Sequence, residues 1–323
     1  MLTAAAPSHA PAAEAVMARA ASENFPVASR VLPRRARAHL LAVYGFARLV
    51  DELGDSGAAG VGWQQDRLAA LDWLEGELDR TFRGEPASSP QQEHPLLVAL
   101  AATVRECGLS REPFARLIEA NRVDQRVSRY QTWAQLRSYC ALSADPVGEI
   151  VLGIFGLATP ARVALSDSIC TALQLTEHCQ DVAEDLARGR IYLPAEDLRR
   201  FGCAEGELAR DRAREPLREV LAFEVARARD LLADGAPLIA QLRGRPKLAV
   251  AAFAAGGSAA LEAIEHAGYD VLGGAPRAGR ARRAAALVAT LRASRGAEPR
   301  AGAGGIAGAD PGAGPGVSQG AGS

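Results

Sequence analysis

Apolar residues in the stretch 165–194 recur at helical spacing ahead of a proline-ended loop, and a polar column runs behind them. Leu175, Cys179, Val182 and Leu186 fall at i, i+4, i+7 and i+11, which predicts the buried stripe of one long helix ending before the loop closed by Pro194. Roughly opposite stand Gln174, Glu177, Asp181 and Asp185, with Glu184 at the edge. Asp181 and Asp185 are one turn apart, about 40° around the axis and about 6 Å along it. Stacked like charges cost a helix about a few tenths of a kcal/mol unless a cation lies between them. No base four residues on shares that face, so the column points to a bound divalent metal.

The same pattern appears near the start of the chain. Pro33 suits a helix start, and the helix it opens should reach about Leu53. Tyr44, Arg48, Asp51 and Asp55 share one polar face, and Phe46, Val50 and Leu53 recur on another. Gly54 and Gly57 end the helix and leave Asp55 near its C-terminus, where the helix dipole disfavours a carboxylate. An isolated Asp-x-x-x-Asp is ordinarily a solvated helix face. Two such pairs on separate helices, each flanked in register by non-acidic polar residues, argue for metal instead.

A third segment, Tyr139 to Gly156, carries Pro146 inside an apolar helical pattern, which predicts a kink or break. Ala144, Gly148, Gly153 and Gly156 allow close approach to the backbone, either of a neighbouring helix or of a ligand in an apolar channel. Elsewhere helical periodicity is nearly continuous, punctuated at Gly54–Gly62, Gly84–Pro95, Gly108–Pro113, Pro194–Gly202 and Gly235–Pro246. No strand alternation or glycine-rich nucleotide fingerprint is present in the body of the chain. The expected architecture is all-α. A flexible arm is expected over residues 1–22, one domain over 23–295, and a disordered Gly/Ala/Pro tail over 296–323.

Composition narrows the function. The chain is 48% hydrophobic but only 5% aromatic, which favours helix over sheet. A net charge of −1 provides no global field for nucleic acid, so no nucleic-acid partner is expected. Five cysteines without C-x-x-C spacing fit a reducing cytoplasm better than a disulfide framework or a zinc site. No secretory signal is apparent. The apolar stretch Leu248–Ile264 is broken by Gly256, Gly257 and Glu262 and reads as a buried core helix. Hydrolase and zincin signatures are missing: Gly256-Gly257-Ser258-Ala259 is not a nucleophile elbow, and the five histidines are scattered.

The residues match a known pattern. Tyr44-Gly-Phe-Ala-Arg48-Leu-Val-Asp51-Glu52-Leu-Gly-Asp55 resembles the first aspartate motif of the squalene/phytoene synthase family. Gln174, Gln180-Asp181-Val-Ala-Glu184-Asp185 and Arg188-Gly-Arg190-Ile-Tyr192-Leu-Pro194 resemble the second, and Tyr139, Ala144 and Val147-Gly148 the element between. The resemblance covers about residues 23–275. The segment Glu23 to Ser29, the Ser143-Ala-Asp-Pro-Val-Gly148 form and the Asp-Val-Ala-Glu-Asp core are similar to the hopanoid-pathway hydroxysqualene synthases. Glu177 stands where most members carry Asn, and Glu52 where many carry Asp; both keep or add an oxygen ligand.

The resemblance implies a bacterial, cytoplasmic enzyme with an all-α isoprenoid-synthase fold and both motifs facing one cavity. Asp51, Asp55, Asp181 and Asp185 would hold Mg²⁺ bridged to a diphosphate, whose oxygens suit that hard cation. Tyr44, Arg48, Tyr139, Gln174 and Glu177 take the catalytic roles. Ser29, Arg30, Phe46, Ala144, Val147, Gly148, Arg190 and Tyr192 are expected to bind substrate, with Phe46 and Phe155 equally suited to plain core packing. Arg34 and Arg35 are further candidates for charge-assisted contacts. The implied reaction converts presqualene diphosphate to hydroxysqualene with water capture and no nicotinamide. Alternatives are head-to-head condensation of two farnesyl diphosphates, reductive squalene synthesis or phytoene synthesis. A different class is a non-catalytic helical partner of a pathway enzyme. Peripheral membrane contact and association with a pathway enzyme stay open.

Overall fold

The proline and glycine breaks divide the chain into a succession of helices. The computed structural model describes residues 12–18, 32–55, 63–85 and 94–296. Ser29, Arg30 and the glycine-rich tail beyond Gly296 lie outside the described residues. In order come α1 (Ala13–Ala18), α2 (Arg34–Asp55), α3 (Trp63–Arg83), α4 (Pro95–Cys107), α5 (Glu112–Asp124), α6 (Trp133–Ser143) and α7 (Asp145–Ile154). Then follow α8 (Pro160–Gln180), α9 (Val182–Ala187), α10 (Ala195–Arg200), α11 (Glu215–Gly235), α12 (Pro237–Gln241), α13 (Gly244–His266) and α14 (Arg280–Gly296). Among the described residues there is no strand, only an isolated bridge between Arg129 and Ile191. The fold is all-α, as the periodicity and the resemblance both imply.

Local chemistry sets the boundaries. Proline occupies the first turn of α4, α5, α7, α8, α11 and α12, where its missing N–H has no intrahelical partner to lose. The Thr132 and Thr159 hydroxyls accept from the backbone N–H groups of Gln135 and Arg162 and cap α6 and α8. Pro146 breaks the apolar run at Ala144 and starts α7, as expected from its position.

The apolar stripes build two cores. One gathers Phe46, Leu49 and Leu53 of α2, Leu71 and Leu74 of α3, Leu100 of α4 and Phe114 and Ile118 of α5. The other is centred on α8 and α11, where Leu175 and Cys179 pack with Leu217, Val220 and Leu221. Helix α13 is long and apolar enough to cross a membrane, with a mean hydropathy of 1.4, but 67% of that window is buried inside the fold. It packs against α8, α11 and α14 as a core helix.

Three expectations need correction. The single helix expected within 165–194, ahead of the loop closed by Pro194, is interrupted at Asp181, whose φ of −102° and ψ of 19° leave the helical region. Asp185 N–H still donates to the Asp181 carbonyl (2.8 Å), so the chain bends there rather than stopping. Within the N-terminal arm, Ala13–Ala18 form α1, and Val16 is 1% exposed because it joins the α2–α4 core. Phe46 is 0% exposed in that same core and does not line a cavity. It sits two residues from both Tyr44 and Arg48, about 200° around α2, so it points away from them.

Candidate active site

A cavity of about 300 Å³ lies between the two cores. Its walls come from α2, the α6–α7 junction, α8 and α13. Most of the lining is apolar: Leu40 and Val43 of α2, Val147 and Val151 of α7, Leu173 of α8 and Phe253 of α13. Toward the C-terminal ends of α2 and α8 it becomes polar, with Tyr44, Arg48, Asp51, Gln174 and Glu177. Helical register explains this convergence, because 44, 48 and 51 share one face of α2 and 174 and 177 one face of α8. Ala144 and Gly148 also line the wall. A Cβ on Gly148 would overlap Ser166 Oγ, so the glycine is what lets α7 lie this close to α8.

The four motif aspartates are not equivalent. Asp51 accepts from Asn121 Nδ2 (3.3 Å) and Arg48 Nη1 (3.4 Å). Burial nevertheless pushes its carboxyl up to about 6, opposed by Arg48 and Asn121 and reinforced by Asp55 and Asp124. Asp55, Asp181 and Asp185 stand outside the cavity wall. Asp55 is exposed at the end of α2 and pairs with Arg190 Nη1 (3.3 Å), which joins the first motif to the tail of the second. Its carbonyl accepts from Arg67 Nη2 (2.8 Å), and Arg67 lies over the Trp63 ring at 4.3 Å. Asp185 is pushed up to about 7, first by burial and then by the Asp181 charge, with Arg188 and Arg190 opposing. Asp181 is raised mainly by burial and also by Glu184.

Tyr139 and Tyr192 do not line the cavity. Their hydroxyls donate to the two oxygens of Asp124, at 2.8 and 2.9 Å. Both phenols and Asp124 are raised above their ordinary values, chiefly by burial. Tyr192 stacks on His178 with ring centroids 3.9 Å apart. Burial drives His178 down to about 3, so the imidazole is neutral and accepts from the Gln174 amide at 3.3 Å. Its Nδ1 lies 3.9 Å from Asp185 Oδ2.

Sequence reasoning passed over Asp124 and Arg67. Asp124 bears on Asp51 and Asp185 electrostatically and feels Asp55 and Arg190 in turn. Its signal was an Asn-x-x-Asp-Gln cluster in the last turn of an otherwise apolar-periodic helix, a pattern that reads as an ordinary solvated helix end. Arg67 follows a glycine-rich break and carries no local motif.

Among the described residues, no group of three or more His, Cys, Asp and Glu side chains is gathered closely enough to hold an ion by itself. The donor set still fits Mg²⁺. It consists of oxygens alone, and no side-chain donor within hydrogen-bond distance reaches the carboxylates of Asp181 or Asp185 among the described residues. Mg²⁺ keeps several waters and shares its coordination with substrate phosphates, so it needs no closed protein cage.

Comparison with known proteins agrees with this geometry. The squalene/phytoene synthase family profile matches residues 18–285. The chain is 34% identical over 211 residues to the hydroxysqualene synthase of Zymomonas mobilis, covering 65% of this chain and 67% of that one. It is 32% identical over 264 residues to the 15-cis-phytoene synthase of Synechococcus elongatus, covering 77% and 82%. The crystal structure of squalene synthase HpnC from Alicyclobacillus acidocaldarius superposes with a TM-score of 0.70 at 44% identity, over 80% of this chain and 94% of that one. With Asp51 of α2 and Gln174 and Glu177 of α8 at the polar end of an apolar cavity, and Arg190 joining the tail of the second motif to Asp55 of the first, this all-α chain belongs to the squalene/phytoene synthase family.

Proposed function

We propose that the protein converts presqualene diphosphate and water to hydroxysqualene and diphosphate. The observation that carries this reading is the cavity itself, apolar along α7 and α13 and polar where α2 and α8 present Tyr44, Arg48, Asp51, Gln174 and Glu177. A branched C30 substrate places its chains along the apolar wall and its diphosphate beside the aspartates. Asp51, Asp55, Asp181 and Asp185 would hold Mg²⁺, which when bound would neutralise charge on the diphosphate leaving group. Arg48 and Arg190 add charge-assisted contacts to the leaving group. Tyr44 faces the cation from the cavity wall through its ring. Gln174 and Glu177 orient the water that forms the new C–O bond, and Glu177 takes its proton. The bond pairs balance without hydride, so no nicotinamide is required. The similarity to the Zymomonas mobilis hydroxysqualene synthase supports this choice.

A second reading is head-to-head condensation of two prenyl diphosphates to presqualene diphosphate, squalene or phytoene. The similarity to the Synechococcus elongatus phytoene synthase, which extends over more of the chain, favours it. Incubation of the purified protein with Mg²⁺ and presqualene diphosphate separates the readings. Hydroxysqualene formed without NADPH is the expected product. Squalene formed only with NADPH, or consumption of farnesyl or geranylgeranyl diphosphate with presqualene diphosphate left intact, would overturn the first reading.

A further inference from the structure

We propose that the last turn of α5 is the positioning element of the site, with Asn121, Asp124 and Gln125 setting the spacing between the two aspartate motifs. This rests on the metal–diphosphate reading above. The three residues fall at i, i+3 and i+4 and so share one face of the helix. That face touches the first motif twice. Asn121 Nδ2 donates to Asp51 Oδ1 at 3.3 Å, and Gln125 Nε2 donates to the Gly54 carbonyl at 3.0 Å. The Gly54 carbonyl lies in the final turn of α2 and has no helical partner of its own. A Cβ on Gly54 would overlap Asn121 Oδ1, so only glycine lets the two helices meet closely enough for the amide to reach Asp51.

The same turn holds the second motif. Asp124 accepts from Tyr139 (2.8 Å) and from Tyr192 (2.9 Å), two residues beyond Arg190. Tyr192 in turn stacks on His178, which lies between Gln174 and Asp181 on α8. One helical turn therefore grips α2 through two amides, α6 through the Tyr139 phenol and the segment after α9 through the Tyr192 phenol. None of the three side chains lines the cavity, so they act through the residues they hold. A network serving stability alone would place no demand on ligand affinity.

Calorimetric titration of the full chain with inorganic pyrophosphate and Mg²⁺ distinguishes these roles. The series comprises the parent, Asn121→Ala, Gly54→Ala, Asp124→Asn and Thr103→Val. The last removes a buried hydrogen bond to His39 (3.1 Å) on the far side of the α2–α4 core and serves as the stability control. Asn121→Ala, Gly54→Ala and Asp124→Asn are expected to weaken pyrophosphate roughly tenfold or more. Thr103→Val is expected to lower Tm and leave the affinity within about twofold of the parent. Parent-like affinity in the three α5-face variants, or an equal loss in Thr103→Val, overturns the positioning role alone. Absence of Mg²⁺-dependent pyrophosphate binding in the parent overturns the underlying metal–diphosphate reading instead.

Discussion

The two aspartate motifs share a spacing but not a physical state. On α2 the carboxylate that lines the cavity is already held: Asn121 donates to Asp51, Arg48 stands beside it, and the helix runs unbroken to Asp55. On α8 and α9 the backbone bends at Asp181, and neither carboxylate has a donor within hydrogen-bond distance among the described residues. Burial and mutual repulsion raise Asp185 further than Asp51, to about 7 against about 6. The first motif is a preset arm, and in the second burial and the neighbouring carboxylate disfavour the charged form of Asp185, opposed only by the nearby Arg188 and Arg190 charges. Arg190 links them, arriving from the second motif to pair with Asp55 of the first.

The strongest way to break this contrast is to delete one carboxylate from each side. Asp51→Ala and Asp181→Ala are each expected to lower kcat by more than about a thousandfold, with unchanged far-ultraviolet dichroism. Near-normal turnover in the Asp181 variant would remove the second motif from the site. Arg190→Ala severs the ion pair between the motifs and is expected to reduce kcat/KM about ten- to a hundredfold in steady-state assays.

The contrast also predicts unequal consequences for stability without metal. Asp185 has its folded pKa raised from an ordinary 3.8 to about 7. Its contribution to stability is therefore complete below about pH 4 and is lost as pH rises through 7. Asp185→Asn has no such loss and is expected to gain about 2 kcal/mol over the parent at pH 8, after discounting for solvent access, and nothing near pH 4. Asp51→Asn should gain less, because its shift is smaller and its carboxylate already has donors. Urea denaturation in chelator across this pH range measures both, and equal gains would erase the distinction between the motifs. The smallest effect belongs to Phe46→Leu, about 1.5 kcal/mol of stability with KM unchanged, since Phe46 packs edge-on to Phe114 (5.4 Å) in the core.

Much of this was legible from periodicity. The two polar columns, the break at Pro146 and the core placement of α13 follow from spacing and composition, which act locally along the chain. What spacing could not supply was direction across the fold. Phe46 belongs to the same motif string as Tyr44 and Arg48, yet two residues of helix turn it into the core. The bend at Asp181 has no proline or glycine to announce it. Asp124 lies 73 residues from Asp51 and 61 from Asp185, the aspartates it influences, and only tertiary packing of α5 against α2 and the Tyr192 segment gives it a role. Partners of this kind are set by long-range contacts, and a one-dimensional pattern carries no trace of them.

The convergence of both motifs on one diphosphate is tested most directly by a double-mutant cycle. Mg²⁺-dependent pyrophosphate affinity would be measured for Asp51→Asn, Asp181→Asn and the double variant. If the two carboxylates serve one bound diphosphate, the double variant binds about as weakly as the worse single variant, and the losses are strongly non-additive. Losses that add as independent free energies would contradict a shared site.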